Sequence, residues 1–460
     1  MISYDDTKTA LALEPQSPGH LRLENLASGF AKKDFKLSSI PSLIESLKKP
    51  VLDDQLYGLI GFGKILSPES LEDREPAIQA VIKFGAIPLF SQIMINSCFA
   101  KIKVEACYCL MKACETWGEI KEPVRNEATQ SLITLLESSD SVLAQTLVAI
   151  HYLASSYTEW QMKLLENNVA HRIVKILEKN PNEVIKDHCY LTLVRLCQRT
   201  LTSIPPYEHI STAVPVLCNY LKQHEDDKDI LHEVLRALLS PVSLKEGLDV
   251  VLSYELTGDL VRLLGHSKLP VINHSLKLIQ SILDSGEKPA AMILQGKSLV
   301  PAFVKLADHP KIILRRSFFF TIGKIFEKKL GEFEEIMKDD DFVGNIINAV
   351  KNEDPSIRKQ LVEDISKSTK KCDEKQILVF LDNGIYSCLI DLLENEDQER
   401  LLAVLEEIEN CLKWGTKYKL DGFVVEAKSK DVVGKLENVK KSHQRNKKIK
   451  SQVDKILKYF

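Results

Sequence analysis

The residues that most often do chemistry in enzymes are scattered along this chain. No GxxxxGKS/T phosphate loop, GxGxxG fingerprint, GxSxG elbow or HExxH motif occurs in a context that would let it work. The histidines fall in different predicted helices and loops, as surface or core residues do: His171, His188, His209, His224, His232, His266, His274 and His309. We therefore expect no enzyme activity, no cofactor and no metal site.

Ten cysteines are also dispersed, and the densest group is Cys107, Cys109 and Cys114. No CxxC pair and no cysteine with a histidine at zinc spacing occurs. This usage predicts buried thiols in a reducing compartment. A redox role for the group of three is the alternative.

Composition indicates a folded protein with balanced charge. The chain has 460 residues, of which 44% are hydrophobic and 27% charged, and 61 Lys and Arg face 64 Asp and Glu. This balance gives no general attraction to nucleic acid or to an anionic membrane. The apolar runs are shorter than the ~20 residues that a spanning helix needs, and residues 1–20 lack the pattern of a secretory signal. We expect a cytosolic protein with neither a membrane nor a nucleic acid as partner.

Short apolar segments recur at a constant spacing. Aligning them brings together Phe90, Leu132, Ile173, Leu217, Leu260, Phe303, Ile346 and Leu389, separated by 42, 41, 44, 43, 43, 43 and 43 residues. An earlier unit fits around Leu43 and a last unit around Leu436. The period lies in the armadillo and HEAT range and outside the tetratricopeptide and ankyrin periods.

Within each unit the apolar residues follow helical spacing, and turn signals such as Gly85, Gly258, Gly296 and Gly384 separate the helices. The sequence thus predicts an all-α, right-handed superhelical solenoid of about ten armadillo repeats. We expect residues 1–21 to form a short flexible segment and residues 22–460 a single solenoid. Stacked repeats of this kind present a long concave face, built from the third helix of each unit, that suits an extended peptide.

Four stretches, in order along the chain, carry a resemblance to a known family. They are residues 80–94 with the Gly-Ala-Ile-Pro turn, residues 192–221 with paired prolines, residues 260–279 and residues 383–415. From about residue 22 to the end, the chain resembles importin-α, the adaptor that carries proteins with basic nuclear localisation signals into the nucleus. The resemblance implies a protein-binding adaptor of nuclear import, located in cytoplasm and nucleus.

Importin-α binds its cargo signals with a ladder of Trp and Asn on the third helices. Stacked indoles make slots for Lys side chains, and Asn amides hold the peptide backbone. In this chain the Trp positions hold Tyr108, Val148, Leu191, Leu235, Lys277, Phe320 and Glu363. The paired Asn positions hold Lys112, Tyr152, Arg195, Leu239, Ser281, Lys324 and Lys367. None of the fourteen is Trp or Asn, and the family's acidic partner of the main Lys falls on Ser156.

These substitutions leave three interpretations open. In the first, the groove still binds Lys-rich signals in the family manner, but such a signal would meet like charge at Lys112, Arg195, Lys324 and Lys367, so we expect standard signals to bind poorly. Alternatively, the cations together with Tyr108, Tyr152 and Phe320 bind an acidic or mixed peptide, and the protein is a repurposed scaffold without a role in import. In the third interpretation these residues are ordinary solvated surface charges.

The N-terminal end of the chain departs from the family pattern, whereas a region near the C-terminus resembles it. Residues 1–30 contain only Lys8 and Arg22 as Lys or Arg, so we expect no basic importin-β-binding tail and no binding of importin-β in the usual way. Near the C-terminus an acidic run resembles the region where the family meets its export receptor; it comprises Glu394, Glu396, Asp397, Glu399, Glu406, Glu407 and Glu409. A solvated helix face explains the run equally well. The basic stretch 434–460 reads as a charged outer face of the last repeat, or else as a localisation signal or a phosphate-binding patch.

Overall fold

The computed structural model describes residues 18–68, 73–115, 120–223, 230–294, 299–307, 309–326, 340–354, 357–358, 360–362, 365, 378, 381–394 and 398–460. Every regular element in these ranges is a helix. The chain divides into two compact units, Met1–Val251 and Leu252–Phe460.

The first unit contains a regular succession of short and long helices. They are α1 (Pro18–Phe30), α2 (Ile40–Lys48), α3 (Leu52–Ile65), α4 (Arg74–Lys83), α5 (Ala86–Asn96), α6 (Ala100–Ala113), α7 (Glu122–Leu135), α8 (Asp140–Ser156), α9 (Thr158–Glu166), α10 (Val169–Glu178), α11 (Glu183–Cys197), α12 (Tyr207–Ile210), α13 (Ala213–Gln223), α14 (Ile230–Val242) and α15 (Lys245–Ser253), which crosses the border of the unit. A 3₁₀ turn, Leu37–Ser39, precedes α2.

The second unit continues the same alternation. Its helices are α16 (Thr257–Leu263), α17 (Leu269–Asp284), α18 (Glu287–Leu294), α19 (Leu299–Ala307), α20 (Ile312–Phe326), α21 (Asp340–Asn352), α22 (Ile385–Asp391), α23 (Gln398–Tyr418), α24 (Gly422–Ser429), α25 (Val432–Ser442) and α26 (Lys447–Ile456). Two 3₁₀ turns, Leu392–Glu394 and Leu457–Tyr459, follow α22 and α26.

The repeat period read from the sequence corresponds to one layer of the core. All ten aligned residues are completely buried: Leu43, Phe90, Leu132, Ile173, Leu217, Leu260, Phe303, Ile346, Leu389 and Leu436. From Phe90 to Leu389 each lies on the second helix of its repeat, and Leu43 and Leu436 lie on α2 and α25 of the first and last units. Since one such helix buries little apolar surface alone, contact between successive repeats makes the core continuous within each unit. The all-α repeat fold is thereby confirmed.

The turn before the second helix also recurs, with a residue in the left-handed backbone region. Gly85 and Gly384 both have φ of 71°, Asn168 has φ of 57° and Asp431 has φ of 49°. Glycine, Asn and Asp tolerate this region best because they lack or shorten the clashing side chain. Gly258 differs from the expectation that it marks such a turn, because it lies inside α16, and Gly296 falls outside the described residues.

The length and apolar composition of each helix show whether it could cross a membrane. Among the described residues no single helix is long and apolar enough to cross a bilayer. One pair, Arg74–Lys83 with Ala86–Asn96, passes by length and composition together, and it is bent by 76°.

Candidate functional site

The predicted peptide-contact positions of the first unit lie on α6, α8, α11 and α14, the longer helices that pack in series along the chain. We call the side that carries Tyr108, Tyr152 and Arg195 the third-helix face. Val148 and Leu235 are buried in the core beneath it. The remaining positions keep part of their surface accessible: Tyr108, Lys112, Tyr152, Ser156, Leu191, Arg195 and Leu239.

A first group of polar side chains on this face surrounds Glu115, and we call it the Glu115 cluster. Lys112 Nζ lies 3.1 Å from Glu115 Oε1 and 4.6 Å from the centre of the Tyr152 ring. Arg74, the first residue of α4, donates to Tyr152 Oη at 2.7 Å and forms an ion pair with Glu115. The Tyr152 hydroxyl donates in turn to Glu115. One carboxylate thus holds two cations from different helices.

Burial and charge set the protonation of this cluster. Burial raises the pKa of Tyr152 to about 12, helped by its hydrogen bond to the Glu115 carboxylate, so the phenol is neutral. Burial alone would lower the pKa of Arg74, but its hydrogen bond and ion pair with Glu115 outweigh burial and raise it. The cluster therefore keeps a net positive charge.

A second group, the Glu233 cluster, joins α11 to α14. Arg236 Nη2 donates to Glu233 Oε2 at 2.6 Å, and Arg195 Nη2 lies 3.8 Å from Glu233 Oε1. Gln198 bridges the three: its amide nitrogen donates to Glu233 at 2.9 Å, while its oxygen accepts from Arg195 and Arg236 at 2.9 and 3.0 Å. Again one carboxylate faces two guanidinium groups.

The positive charge around Glu233 affects the pKa values of Glu233 itself and of His151. Burial would raise the pKa of Glu233, but the Gln198 hydrogen bond and the charges of Arg195 and Arg236 lower it overall. Burial, followed by the charge of Arg195, lowers the pKa of His151 to about 4, so this histidine is neutral. Its Nδ1 lies 3.1 Å from the Leu191 carbonyl oxygen.

Beside the Glu233 cluster the face opens into a pocket of about 650 Å³. Arg195, Arg199 and Arg236 line it together with the ends of α8 and α11. Gln161 closes the floor, because its amide nitrogen contacts the carbonyl oxygens of residues 195, 196 and 198 at 2.9, 3.1 and 2.7 Å. These contacts satisfy acceptors that the end of α11 would otherwise leave open.

In the second unit the predicted positions lie on α17 and α20. Lys324 Nζ binds both carboxylate oxygens of Asp284 at 2.7 Å and lies 4.8 Å from the centre of the Phe320 ring. Lys277 is exposed, and Ser281 donates to the Lys277 carbonyl at 3.0 Å. A pocket of about 450 Å³ is lined by Lys277, Phe320 and neighbouring residues. Glu363 and Lys367 fall outside the described residues.

Comparisons with known proteins agree on one family. Importin subunit alpha-1a of Oryza sativa subsp. japonica is 25% identical over 309 residues, which cover 65% of this chain and 56% of that protein. Importin subunit alpha-4 of Arabidopsis thaliana is 23% identical over 443 residues, covering 94% of this chain and 80% of that protein. The matches to the first three curated relatives span 56%, 37% and 48% of their lengths, about half on average. No family model matches.

Solved structures give the fold. The crystal structure of an engineered protein, a target of the Northeast Structural Genomics Consortium, has a TM-score of 0.71 at 16% identity and covers 92% of this chain and 98% of its own. A designed armadillo repeat protein in complex with the peptide (KR)4 has a TM-score of 0.45 at 17% identity and covers 54% of this chain and 99% of its own. The chain is thus similar to importin-α subunits, as a divergent sequence, and its helical repeats are of the armadillo type.

The tryptophans that the structure describes make packing contacts and do not stand at ladder positions. Trp160, in α9, is fully buried and its indole nitrogen donates to the Cys114 carbonyl at 3.1 Å. Trp414 stacks on Tyr418 with ring centres 5.3 Å apart, and Lys417 lies over both rings. Trp117 falls outside the described residues.

The C-terminal acidic run is split between surface and core. Glu396 and Asp397 fall outside the described residues, and only the backbone of Glu394 and Glu399 is described. Glu407 is completely buried and Glu409 is 8% exposed. Both interpretations of the run, as a receptor contact and as a solvated helix face, require exposed side chains, so neither holds for these two residues. Glu409 forms an ion pair with Lys413 at 2.6 Å and accepts from Gln452.

The basic stretch that follows forms an amphipathic pair of helices. In α25 and α26 the apolar residues Leu436, Ile449 and Val453 are buried, while lysines such as Lys441 and Lys447 are exposed. The lysines therefore form an exposed outer face, which fits each of the interpretations given for this stretch. The dispersed cysteines match their interpretation too: among those described, only Cys98 is exposed.

Sequence reasoning missed the charged residues that surround the predicted cations. Arg74, Glu115, Glu233, Arg236 and Asp284 do not stand at ladder positions, so the family pattern gave no reason to select them. A usable signal was present in part: Arg195 and Glu233 are 38 residues apart, and Lys324 and Asp284 are 40 apart. Opposite charges close to one repeat period apart are candidates for pairing between neighbouring helices.

Proposed function

We propose that this importin-α-like chain is a protein-binding adaptor that holds an extended segment of a partner protein on the third-helix face. The observation that carries the proposal is the pocket of about 650 Å³ beside the Glu233 cluster, where α8, α11 and α14 meet. Helices packed in series repeat their side chains about every 8–10 Å, and an extended peptide advances about 3.3 Å per residue. Successive helices can therefore read every third residue of a bound segment.

The finer proposal is a role in transport of proteins between cytoplasm and nucleus, with importin-β or an export receptor as further partners. Its support is the series of curated relatives that are named importin alpha subunits. The groups on the third-helix face point to a changed choice of segment. Where importin-α has Trp and Asn, this chain has Lys112 bound to Glu115 and Arg195 bound beside Glu233.

The second candidate is an armadillo scaffold without a role in import that binds an acidic partner. The excess of cations over carboxylates in the Glu115 and Glu233 clusters favours it. Local positive charge selects against Lys-rich segments and for acidic ones, because like charges at short range repel by several kcal/mol.

A blocking substitution tests the shared part of both candidates. Ser155 lines the pocket, is exposed, and donates to the carbonyl of residue 151 at 2.7 Å. Ser155→Tyr fills the pocket mouth without changing the charge. Thr134 on α7 is the matched control, since it is also exposed and donates to the carbonyl of residue 130 at 2.9 Å, but lies outside the pocket.

Fluorescence anisotropy with a labelled Lys-rich localisation peptide and a labelled acidic peptide provides the measurement. Ser155→Tyr should weaken whichever peptide binds, while Thr134→Tyr should not. Capture of importin-β by the wild-type protein, together with binding of the Lys-rich peptide, supports the transport role. Binding of the acidic peptide without importin-β supports the scaffold. Saturable binding that Ser155→Tyr leaves unchanged would contradict the placement of the site on the third-helix face.

A further inference from the structure

The pocket on the third-helix face holds more positive charge than its neighbours neutralise. Arg195 and Arg236 share the single carboxylate of Glu233. Arg199, also in the pocket lining, is exposed and makes no hydrogen bond or ion pair within the described ranges around it, 120–223 and 230–294. Three guanidinium groups thus line the pocket, and among the described residues one carboxylate, that of Glu233, contacts two of them.

The shape of the pocket keeps these charges in place. Arg195 and Arg236 are held by the amide oxygen of Gln198 at 2.9 and 3.0 Å, so their positions do not depend on a ligand. The wall next to Arg199 is a closed turn, in which Thr200 and Ser203 bond to each other through backbone and hydroxyl at 2.9 and 3.0 Å. Preformed sites lose less entropy when they bind.

The pocket also offers an apolar contact beside the charges. Leu201, at the tip of the same turn, is fully exposed, and Leu239 on α14 keeps part of its side chain open. A segment that lays an anionic side chain on the arginines can therefore cover apolar surface with its neighbouring residue. Guanidinium groups recognise carboxylate and phosphate oxygens through paired, charge-assisted hydrogen bonds, which cationic side chains cannot accept.

We propose that this arginine-lined pocket is a subsite for an anionic side chain, a carboxylate or a phosphorylated hydroxyl, within an extended peptide segment of a protein partner. The proposal rests on the function proposed above, because it names the chemistry of the segment that the third-helix face holds. An arginine subsite of this kind makes the third-helix face prefer acidic segments over Lys-rich ones.

The Glu115 cluster gives the segment a second point of contact. It lies between α6 and α8, whereas the pocket lies between α11 and α14, a separation of two helix steps. Two steps of 8–10 Å amount to about 16–20 Å, which an extended chain spans with five or six residues. Anionic residues five or six positions apart fit both cationic clusters.

The test compares labelled Gly-Ser peptides of equal length that differ at two positions six residues apart. One peptide carries Asp, one phosphoserine, one Asn and one Lys at these positions. We expect the wild-type protein to bind the Asp and phosphoserine peptides more tightly than the Asn peptide, and to bind the Lys peptide most weakly. The ratio of the first two affinities separates carboxylate from phosphate as the preferred group.

Charge-neutralising variants then locate the binding. Arg199→Gln with Arg236→Gln should weaken the better acidic peptide about tenfold, since each exposed charge pair contributes about threefold. Arg172→Gln with Lys175→Gln is the matched control on α10, with two cations removed and no contact with the pocket, and should change affinity less than twofold. Circular dichroism of both variants confirms that they fold.

The possible results separate the two proposals. Acidic peptides that bind equally to both double variants, but are lost in Ser155→Tyr, would overturn the arginine subsite and leave the peptide-binding face intact. Preference for the Lys peptide would overturn it as well, and would support a localisation-signal groove. Acidic binding that neither Ser155→Tyr nor the arginine variant affects would overturn both proposals.

Discussion

The Glu233 cluster allows one prediction to be worked out in detail, for the substitution Glu233→Gln. The Glu233 side chain is 16% exposed, and it accepts from Arg236 at 2.6 Å and from Gln198 at 2.9 Å, with Arg195 at 3.8 Å. Glutamine has nearly the same shape and keeps one acceptor oxygen. It removes the negative charge that holds the two guanidinium groups together.

The expected cost follows from these contacts. A hydrogen bond to a charged group contributes about 1.5–3 kcal/mol when buried, but an exposed ion pair contributes only about 0.2–1 kcal/mol. The Arg195 and Arg236 side chains are 28% and 38% exposed, so the lower parts of both ranges apply. We expect a loss of about 2 kcal/mol in the free energy of unfolding at neutral pH, or about 4–8 °C in the thermal midpoint.

The pH dependence provides an independent check. The folded state lowers the pKa of Glu233 below its ordinary value of 4.5, so the unfolded state binds more protons between the two values and stability rises with pH there. This contribution is complete above about pH 4.5 and is lost as pH falls through the lowered pKa. The difference between wild type and Glu233→Gln should therefore shrink on acidification.

Thermal and urea unfolding followed by far-ultraviolet circular dichroism, from neutral to acid pH, measures these differences. The control is Glu137→Gln, whose carboxylate is 79% exposed and lies 3.8 Å from Arg172; it should change stability by less than about 0.5 kcal/mol. Glu233→Gln should also bind the acidic peptide about threefold more tightly, because it removes the negative charge that contacts Arg195 and Arg236 in the pocket lining. Equal stability of wild type and Glu233→Gln, or a difference that persists unchanged in acid, would refute the reasoning.

Three further predictions concern neighbouring parts of the first unit. Trp160→Phe should lower the free energy of unfolding by about 1–2 kcal/mol, because the fully buried Cys114 carbonyl loses its indole donor; urea unfolding measures this loss, and an unchanged midpoint would contradict it. Gln161→Ala should cost about 1–2 kcal/mol in the same assay, because it leaves the carbonyls at the end of α11 without a donor, and an unchanged unfolding curve would show that water replaces the amide. At neutral pH iodoacetamide should modify the exposed Cys98 well before Cys107 or Cys114, since burial raises the pKa of both to about 12; peptide mass mapping reads each site, and equal rates would contradict the burial.

The fold was largely predictable because its signal is repeated. A spacing of 41–44 residues that recurs seven times outweighs the uncertainty of any single helix, and all ten aligned residues are buried in the structure. Local turn chemistry was predicted less well. Gly85 and Gly384 occupy the left-handed turns, but Asn168 and Asp431 do so in other repeats, because the backbone requires the conformation and not one residue type.

The helices that carry the candidate residues were predictable, and the charged partners of these residues were not. The family pattern selects Lys112 and Arg195 as residues of the third helices, and both lie on the third-helix face. Their partners could not be read in the same way. Arg74 reaches Glu115 from the first helix of the same repeat and Tyr152 in the next repeat, and whether two side chains meet depends on the stagger between neighbouring helices.

The sequence by itself determined the helical repeat, the core layer and the absence of the Trp and Asn ladder, because each depends only on residue type and spacing. Only the tertiary structure decided which charged side chains are buried, which are paired, and which remain open to a ligand. It buried Glu407 within the acidic run, paired Lys324 with Asp284, and left Arg199 open beside Arg195 and Arg236. The physical reason is that a net charge at a site is a sum over side chains from several repeats, and the stacking of those repeats determines which of them come within a few ångströms of each other.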